Sequence, residues 1–185
     1  MEDLVTVAKP ALRADARRNR ARVLEAAEEV FAAEGLGVPL DEIARRAGVG
    51  AGTVYRHFPS KEALFQAVIL ERIEQFAQEA HELLGSPDPG DAFFGYLQRV
   101  IDQCARNKAL CDALAESTGL GFKTEADGEL QGALGDLLVR AQEAGAVRTD
   151  IDVAGLRALI VGCLAMDRYA GGTGPSMVVF DGLKA

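Results

Sequence analysis

The amino-acid sequence predicts an all-α protein with about nine helices, arranged as a small N-terminal domain and a larger C-terminal one. Apolar residues recur at intervals of three and four along most of the chain, which is the period of amphipathic helices, and no segment reads convincingly as a strand. The charge is also unevenly divided. Residues 1–62 contain ten basic and ten acidic residues, whereas residues 63–185 contain ten basic and eighteen acidic ones, which gives the net charge of −8. This division predicts two domains with different surfaces.

The N-terminal part is expected to consist of a flexible basic arm, residues 1–14, and a domain over residues 15–62. Its first helix is predicted from about residue 15 to residue 34, because apolar residues fall on one face and Gly35 favours a helix end. The residues of that face are Val23, Ala27, Val30 and Phe31.

A helix-turn-helix pattern follows at about residues 39–58. The first short helix carries one apolar face, and Gly48 permits the left-handed backbone that ends it. That face comprises Leu40, Ile43, Ala44 and Ala47. The second short helix, from about residue 51 to residue 57, has a narrow apolar face of Val54 and Phe58. Its other side chains are left for a polar partner, and nucleic acid suits this geometry.

Residues 63–185 are expected to form a second helical domain. Ser60 is predicted to cap a long fourth helix, which begins in the first domain and ends near Gly85. Apolar spacing then predicts helices around residues 93–104, 110–114, 130–141 and 156–164, and a short last helix over residues 176–183. Asp152 is predicted to cap the helix at 156–164, and Gly145 to mark the end of the one before it.

Two segments carry a resemblance to a known family: RARVLEAAEEVFAAEGL at residues 20–36 and LDEIARRAGVGAGTVYRHFPSKEALF at residues 40–65. Together they resemble the DNA-binding domain of the TetR/AcrR family of bacterial transcriptional repressors. Two positions depart from the family pattern. Val38-Pro39 stands where a threonine or serine cap is common, and Gly50-Ala51 lacks a side chain that family members often use to reach a base.

The resemblance implies roles for the end of the recognition helix. The backbone around Ala51 and Gly52 would face the major groove, and Tyr55, His57 and Lys61 would donate hydrogen bonds to phosphates. Their chemistry agrees, because phosphate contacts of this kind position a protein on DNA. The alternative is that Tyr55 and His57 cover the three-helix core.

Base reading is expected from Thr53 and from Arg45 or Arg46. For the two arginines, an ordinary solvated face is an equally open interpretation. The expected DNA-binding residues are Arg17, Arg45, Arg46, Ala51, Gly52, Thr53, Tyr55, Arg56, His57 and Lys61.

Other kinds of site are not expected. The Gly48–Thr53 glycines lack the spacing of a nucleotide-binding loop, and two histidines without cysteine partners in sequence predict no metal site. We therefore expect no cofactor other than an unknown small-molecule effector, and no enzymatic activity. Neither a membrane span nor a secretory signal is expected, and the three cysteines suit a reducing compartment, so a cytoplasmic location is predicted.

The resemblance further implies that residues 63–185 bind a ligand and form a homodimer. Candidate pocket residues are Phe76, Phe93, Tyr96, Cys104, Phe122, Met166 and Tyr169, although each also fits an ordinary core position. Candidate dimer contacts are Leu156, Leu159, Ile160 and Cys163. The absence of tryptophan and the scarcity of charges expected to be buried predict an apolar or weakly polar ligand.

Two functions are therefore compared. The first is a homodimeric repressor that a small ligand releases from a palindromic DNA operator. The second is a small helical ligand carrier or enzyme with a vestigial helix-turn-helix. Binding of double-stranded DNA, starting with the region upstream of the protein's own gene, discriminates between them.

Overall fold

The computed structural model describes residues 8–106, 125–170 and 174–185, and this part of the chain is built from α-helices. The helices are α1 (Ala8–Glu34), α2 (Leu40–Ala47), α3 (Ala51–His57), α4 (Lys61–Leu83), α5 (Pro89–Arg106), α6 (Glu125–Glu143), α7 (Val153–Ala170) and α8 (Gly174–Leu183), with a 3-10 turn at Gly35–Gly37. Within these ranges the only extended pairing is a single antiparallel bridge between Val147 and Lys184. The all-α prediction is confirmed, while the helix predicted at 110–114 lies outside the described residues.

The chain divides into two compact units, the first ending at Val68 and the second beginning at Ile69. The first unit contains α1, α2, α3 and the start of α4. Its core is formed by apolar residues that are less than one-tenth exposed: Val23, Leu24, Ala26, Ala27, Val30, Phe31, Val38, Leu40, Ile43, Ala44, Ala47, Val54, Phe58, Leu64 and Val68. A helical unit of this size depends on such a shared core, because short helices are marginal alone.

Helix α1 begins at Ala8, well before the predicted start at Asp15. Residues 8–14 of the expected arm are therefore part of α1, and the flexibility of the arm stays a prediction. Pro10 does not prevent this start, because the first N–H groups of a helix have no acceptor within it. At its other end α1 stops at Glu34, and Gly35 takes the left-handed conformation with φ of +71°.

The turn between α2 and α3 is set by Gly48, as the sequence predicts. Its φ of 61° and ψ of 37° lie in the left-handed region, which other residues occupy only with strain. The Val49 N–H donates to the Ala44 carbonyl at 3.0 Å, which closes the helix end. Val49 itself is partly buried against the core of the first unit.

The second unit contains the rest of α4 and helices α5–α8. Helix α5 packs on α6 and α7, and α7 packs on both α6 and α8. The α4–α5 pair is held by polar contacts: the Tyr96 hydroxyl donates to the Phe76 carbonyl at 3.1 Å, and Arg72 donates to Gln103 at 2.8 Å. Asp152 accepts the Gly155 N–H at 2.8 Å, so its predicted capping role is confirmed.

Helix α6 also contributes a contact to the end of α4. Arg140 donates to the carbonyl of Leu84 and, at 2.9 Å, to that of Ser86, and thereby holds the loop that follows α4. Among the described residues, no helix combines the length and the apolar character needed to cross a membrane.

Candidate nucleic-acid interface and ligand cavity

Helix α3 presents its polar side chains away from the core. Val54 is fully buried and Phe58 nearly so, whereas Arg56 and His57 are exposed and Tyr55 is 48% exposed. Tyr55 and His57 are therefore not buried in the three-helix core, although the His57 ring lies beside the Phe58 ring, with 6.2 Å between the ring centres. Instead, both side chains have access to a partner outside the first unit.

The N-terminal turn of α3 is open at the backbone. Ala51 and Gly52 are exposed, and a Cβ added at Gly50 or Gly52 would have no neighbour within 4 Å among the described residues. Such an open turn lets a groove or a phosphate approach the main chain closely. The small residues Gly50 and Ala51 thus leave space for DNA at this turn, but they provide no long side chain to contact a base.

Thr53, the expected base reader, is half-buried and linked to its neighbour one turn away. The Arg56 guanidinium donates to the Thr53 hydroxyl oxygen at 3.4 Å, a long hydrogen bond. The hydroxyl therefore remains able to donate its own hydrogen to an acceptor such as a base edge.

The start of α4 is fixed by a capping interaction beside α3. The Ser60 hydroxyl oxygen accepts the Ala63 N–H at 3.1 Å, which confirms Ser60 as the N-cap. Hydrogen bonds from the Glu62 backbone and from Ser60 lower the pKa of the Glu62 carboxyl. Lys61, the first residue of α4, is half-buried.

The two arginines of α2 have partners within the first unit. Arg45 donates to both carboxylate oxygens of Glu42, at 2.8 and 2.7 Å, and Arg46 donates to Glu42 at 2.9 Å. Arg46 also lies 2.6 Å from a carboxylate oxygen of Glu34. Neither arginine is therefore a free cation on the surface. The sequence contained the signal, because Glu42 lies three and four residues before them on one helix face.

Helix α1 contributes further basic residues, two of which contact other parts of the first unit. Arg17 is exposed, as a DNA contact requires. Arg22 donates to the Gly48 carbonyl at 3.3 Å, and the Arg20 guanidinium lies 5.9 Å from the centre of the Phe58 ring. These two contacts tie α1 to the turn before α3 and to the residue after it.

A cavity of about 60 Å³ lies in the second unit. Its lining is mostly apolar and consists of Phe76, Tyr96, Val100, Asp127, Leu130, Gln131, Leu134, Arg157, Ile160, Val161 and Leu164. Burial raises the pKa of the Tyr96 phenol, which keeps it neutral and donating to the Phe76 carbonyl. Asp127 is only 7% exposed, and among the described residues it is the one charged type of side chain that is buried, which fits the expected scarcity of buried charge.

Only part of the predicted pocket is found. Phe76 and Tyr96 line the cavity, whereas Phe93 and Cys104 are buried outside its lining and Phe122 lies outside the described residues. Met166 and Tyr169 are exposed and do not line it, so their assignment was wrong. Both lie beyond Leu164, where α7 no longer borders the cavity.

The predicted dimer contacts are also placed differently. Leu156 and Cys163 are buried in the second unit itself, and Ile160 lines the cavity. Leu159 is half-buried. Buried side chains already packed within the unit cannot form a surface contact, so Leu156 and Cys163 are corrected to core residues. The exposed large apolar residues of α7 and α8 are Met166, Tyr169, Met177 and Val178.

Comparison with known families agrees with this architecture. Residues 23–68 match the family described as bacterial regulatory proteins, tetR family, and residues 88–185 match the transcriptional regulator SbtR-like C-terminal domain. The second match alone covers more than half of the chain. The protein belongs to the TetR family of transcriptional regulators.

Solved TetR structures resemble this TetR-family protein over nearly its whole length. A TetR transcription regulatory protein from Mycobacterium vanbaalenii is 47% identical, with 94% of this chain and 99% of that chain covered and a TM-score of 0.74. A TetR transcriptional regulator from Streptomyces coelicolor is 33% identical, with 89% and 98% covered and a TM-score of 0.71.

The curated relatives match mainly the DNA-binding unit. The HTH-type transcriptional regulators TtgW and SrpR of Pseudomonas putida are each 45% identical over 78 residues, which is 42% of this chain. The match spans 54% of the first and 34% of the second, so the chain covers at most about half of their length.

Members of the TetR family are transcriptional regulators rather than enzymes. In the described part of the chain, no group of three or more histidine, cysteine or acidic side chains is arranged to hold a metal ion.

Proposed function

We propose that this TetR-family regulator is a homodimeric repressor that binds a palindromic operator through α3 and the start of α4. The observation that carries this proposal is the grouping of three donors on one short segment, namely the exposed Tyr55 and His57 and the half-buried Lys61, around a recognition helix whose core face is Val54. Hydroxyl, imidazole and ammonium donors of this kind bind phosphates and fix the register of a recognition helix in the major groove.

A small-molecule effector is proposed to bind the cavity of the second unit. The apolar lining favours an apolar ligand body, and Asp127, Gln131 and Arg157 favour one polar group on it. One solved structure, 26% identical to this chain with a TM-score of 0.57, is that of a γ-butyrolactone receptor. A γ-butyrolactone has both features, namely an apolar carbon framework and one polar ester group. Because ligand pockets commonly measure about 300–1,000 Å³, the cavity must enlarge to take a ligand of drug size.

The effector would act by changing which conformation of the dimer is populated. Helix α4 belongs to both units, because it begins at Lys61 and the units divide after Val68. A ligand that favours a position of α4 incompatible with operator binding would weaken that binding. A coupling free energy of about 1–3 kcal/mol corresponds to a 5- to 150-fold loss of affinity.

A footprint on the DNA upstream of the protein's own gene tests the proposed function. We expect a protected region with two-fold symmetry and half-sites about one helical turn apart, roughly 34–36 Å. If no double-stranded DNA is bound specifically, even at low salt, the alternative of a helical ligand carrier or enzyme with a vestigial helix-turn-helix is favoured. If the protein in wild-type cell extract protects this DNA region, and the protection disappears when a metabolite fraction is added, the existence of a small-molecule effector is supported.

The proposed dimer contact is the exposed apolar surface of α7 and α8. Val178 is 73% exposed, and burying a valine between two subunits is favourable whereas burying an aspartate there is not. We expect Val178→Asp to be monomeric in analytical ultracentrifugation. Val139→Asp is the matched control, because Val139 lies on α6 and is also exposed, at 51%. A dimeric Val178→Asp variant, or a monomeric Val139→Asp variant, would contradict this placement.

A further inference from the structure

Glu42 is the shared partner of the two arginines that precede the turn of the DNA-binding unit. Its two carboxylate oxygens accept three hydrogen bonds from Arg45 and Arg46, with distances of 2.7–2.9 Å. The contact with Arg45 is a two-pronged fork, since Nε and one terminal nitrogen each meet a different oxygen. Glu34 of α1 supplies a second carboxylate to Arg46 at 2.6 Å.

This fork uses the donors with which an arginine binds a phosphate. Arg–carboxylate and Arg–phosphate pairs share the same parallel geometry, so one guanidinium edge cannot serve both partners at once. Isolated exposed ion pairs contribute little, but two-pronged arginine contacts and networks are the exceptions. Hydrogen bonds from Arg45 and then Arg46 lower the pKa of Glu42 to about 2, so the carboxyl is charged wherever DNA binding is measured.

Arg45 is nevertheless accessible to a large partner. Its side chain is 72% exposed, whereas that of Glu42 is 30% exposed. The guanidinium can therefore meet DNA only by sharing or leaving the carboxylate beneath it. On random DNA, only phosphates can take the place of the Glu42 carboxylate as partners of Arg45. A specific site adds base contacts, which offset the free energy lost when the ion pair is broken.

We propose that Glu42 is a positioning residue that restrains non-specific DNA binding, by holding Arg45 and Arg46 in internal ion pairs that phosphates must share or displace. The inference rests on the proposed DNA-binding role of the first unit. Sequence selectivity then depends partly on Glu42, a residue that need not touch DNA. The effect is electrostatic, and salt dependence therefore reports it directly.

The test compares Glu42→Gln with Asp41→Asn on a random-sequence duplex over a range of salt concentrations. Both variants remove one negative charge from the first turn of α2. Asp41 is exposed and, among the described residues, forms no ion pair with an arginine, whereas Glu42 pairs with two. We expect Glu42→Gln to bind the random duplex several-fold more tightly than Asp41→Asn. Its plot of log K against log salt should steepen by about 0.9 for each arginine released, up to about 1.8.

Equal affinities and equal salt slopes for the two variants would overturn the proposal. Weaker binding by Glu42→Gln would also overturn it, and would show that the carboxylate orients the arginines towards DNA. Circular dichroism melting curves identify any variant that has unfolded, and Glu42→Asp, which keeps the charge, should restore wild-type behaviour. Because random DNA is the probe, a missing operator footprint would refute the proposed repressor function without affecting this result.

Discussion

A Tyr55→Phe, Lys61→Ala double variant is expected to remain folded and to bind operator DNA about 10- to 100-fold more weakly than the wild type, because each change removes a charge-assisted hydrogen bond to phosphate. The fold should persist, because the Tyr55 ring is retained and half-exposed and Lys61 contributes no apolar core contact. Loss of the Lys61 charge should also change the salt dependence of binding. The slope of log K against log salt should become shallower by about one.

Fluorescence anisotropy titrations at several salt concentrations measure this effect. Lys184→Ala is the matched control, because Lys184 lies in the second unit and pairs with Asp181 at 2.6 Å. That control should bind DNA with the wild-type slope. If the double variant binds as tightly as the wild type, Tyr55 and Lys61 are not phosphate contacts and the proposed interface is wrong.

The second large effect is expected from Ile43→Ala. Ile43, on α2, is completely buried in the core of the first unit. Removing buried methyl and methylene groups costs about 2–5 kcal/mol, which is a large part of the roughly 5–15 kcal/mol that stabilises a domain. We expect the first unit to lose cooperative folding near physiological temperature, and DNA binding to be lost with it.

Denaturant unfolding followed by circular dichroism and a DNA-binding assay check this result. Leu36→Ala provides the control, because Leu36 is also a large aliphatic residue of the first unit but is 46% exposed. Exposed substitutions of this kind change stability by only about 0.5 kcal/mol or less. Similar denaturant midpoints of unfolding for Ile43→Ala and Leu36→Ala would show that the α1–α3 core does not determine the stability of this unit.

The helix-turn-helix could be predicted in detail because its signals are local. Gly48 must adopt a positive φ for α2 to end where it does, and Ser60 caps α4 with its own hydroxyl. Such features involve residues within a few positions of one another, so the sequence contains both partners. The early start of α1 was missed because its apolar face is weak before Val23, although the residues there tolerate a helix.

The C-terminal assignments failed where several faces of one helix are apolar. Along α7, Leu156 and Cys163 pack inside the unit, Ile160 borders the cavity, and Met166 is exposed. Helical periodicity identifies apolar faces but not the neighbour that each one meets. The positions of α5, α6 and α8 decide that, and they depend on contacts between residues far apart in the chain.

The sequence by itself determined the helical fold, the uneven division of charge along the chain, and the helix-turn-helix segment from Leu40 to His57. Only the tertiary structure decided which apolar residues of α7 are core, cavity or surface, that Asp127 is buried beside a cavity, and that Glu34 of α1 reaches Arg46 of α2. The physical reason is distance along the chain. Backbone conformation and capping are set by near neighbours, whereas burial and the partners of charged groups are set by which helices pack together.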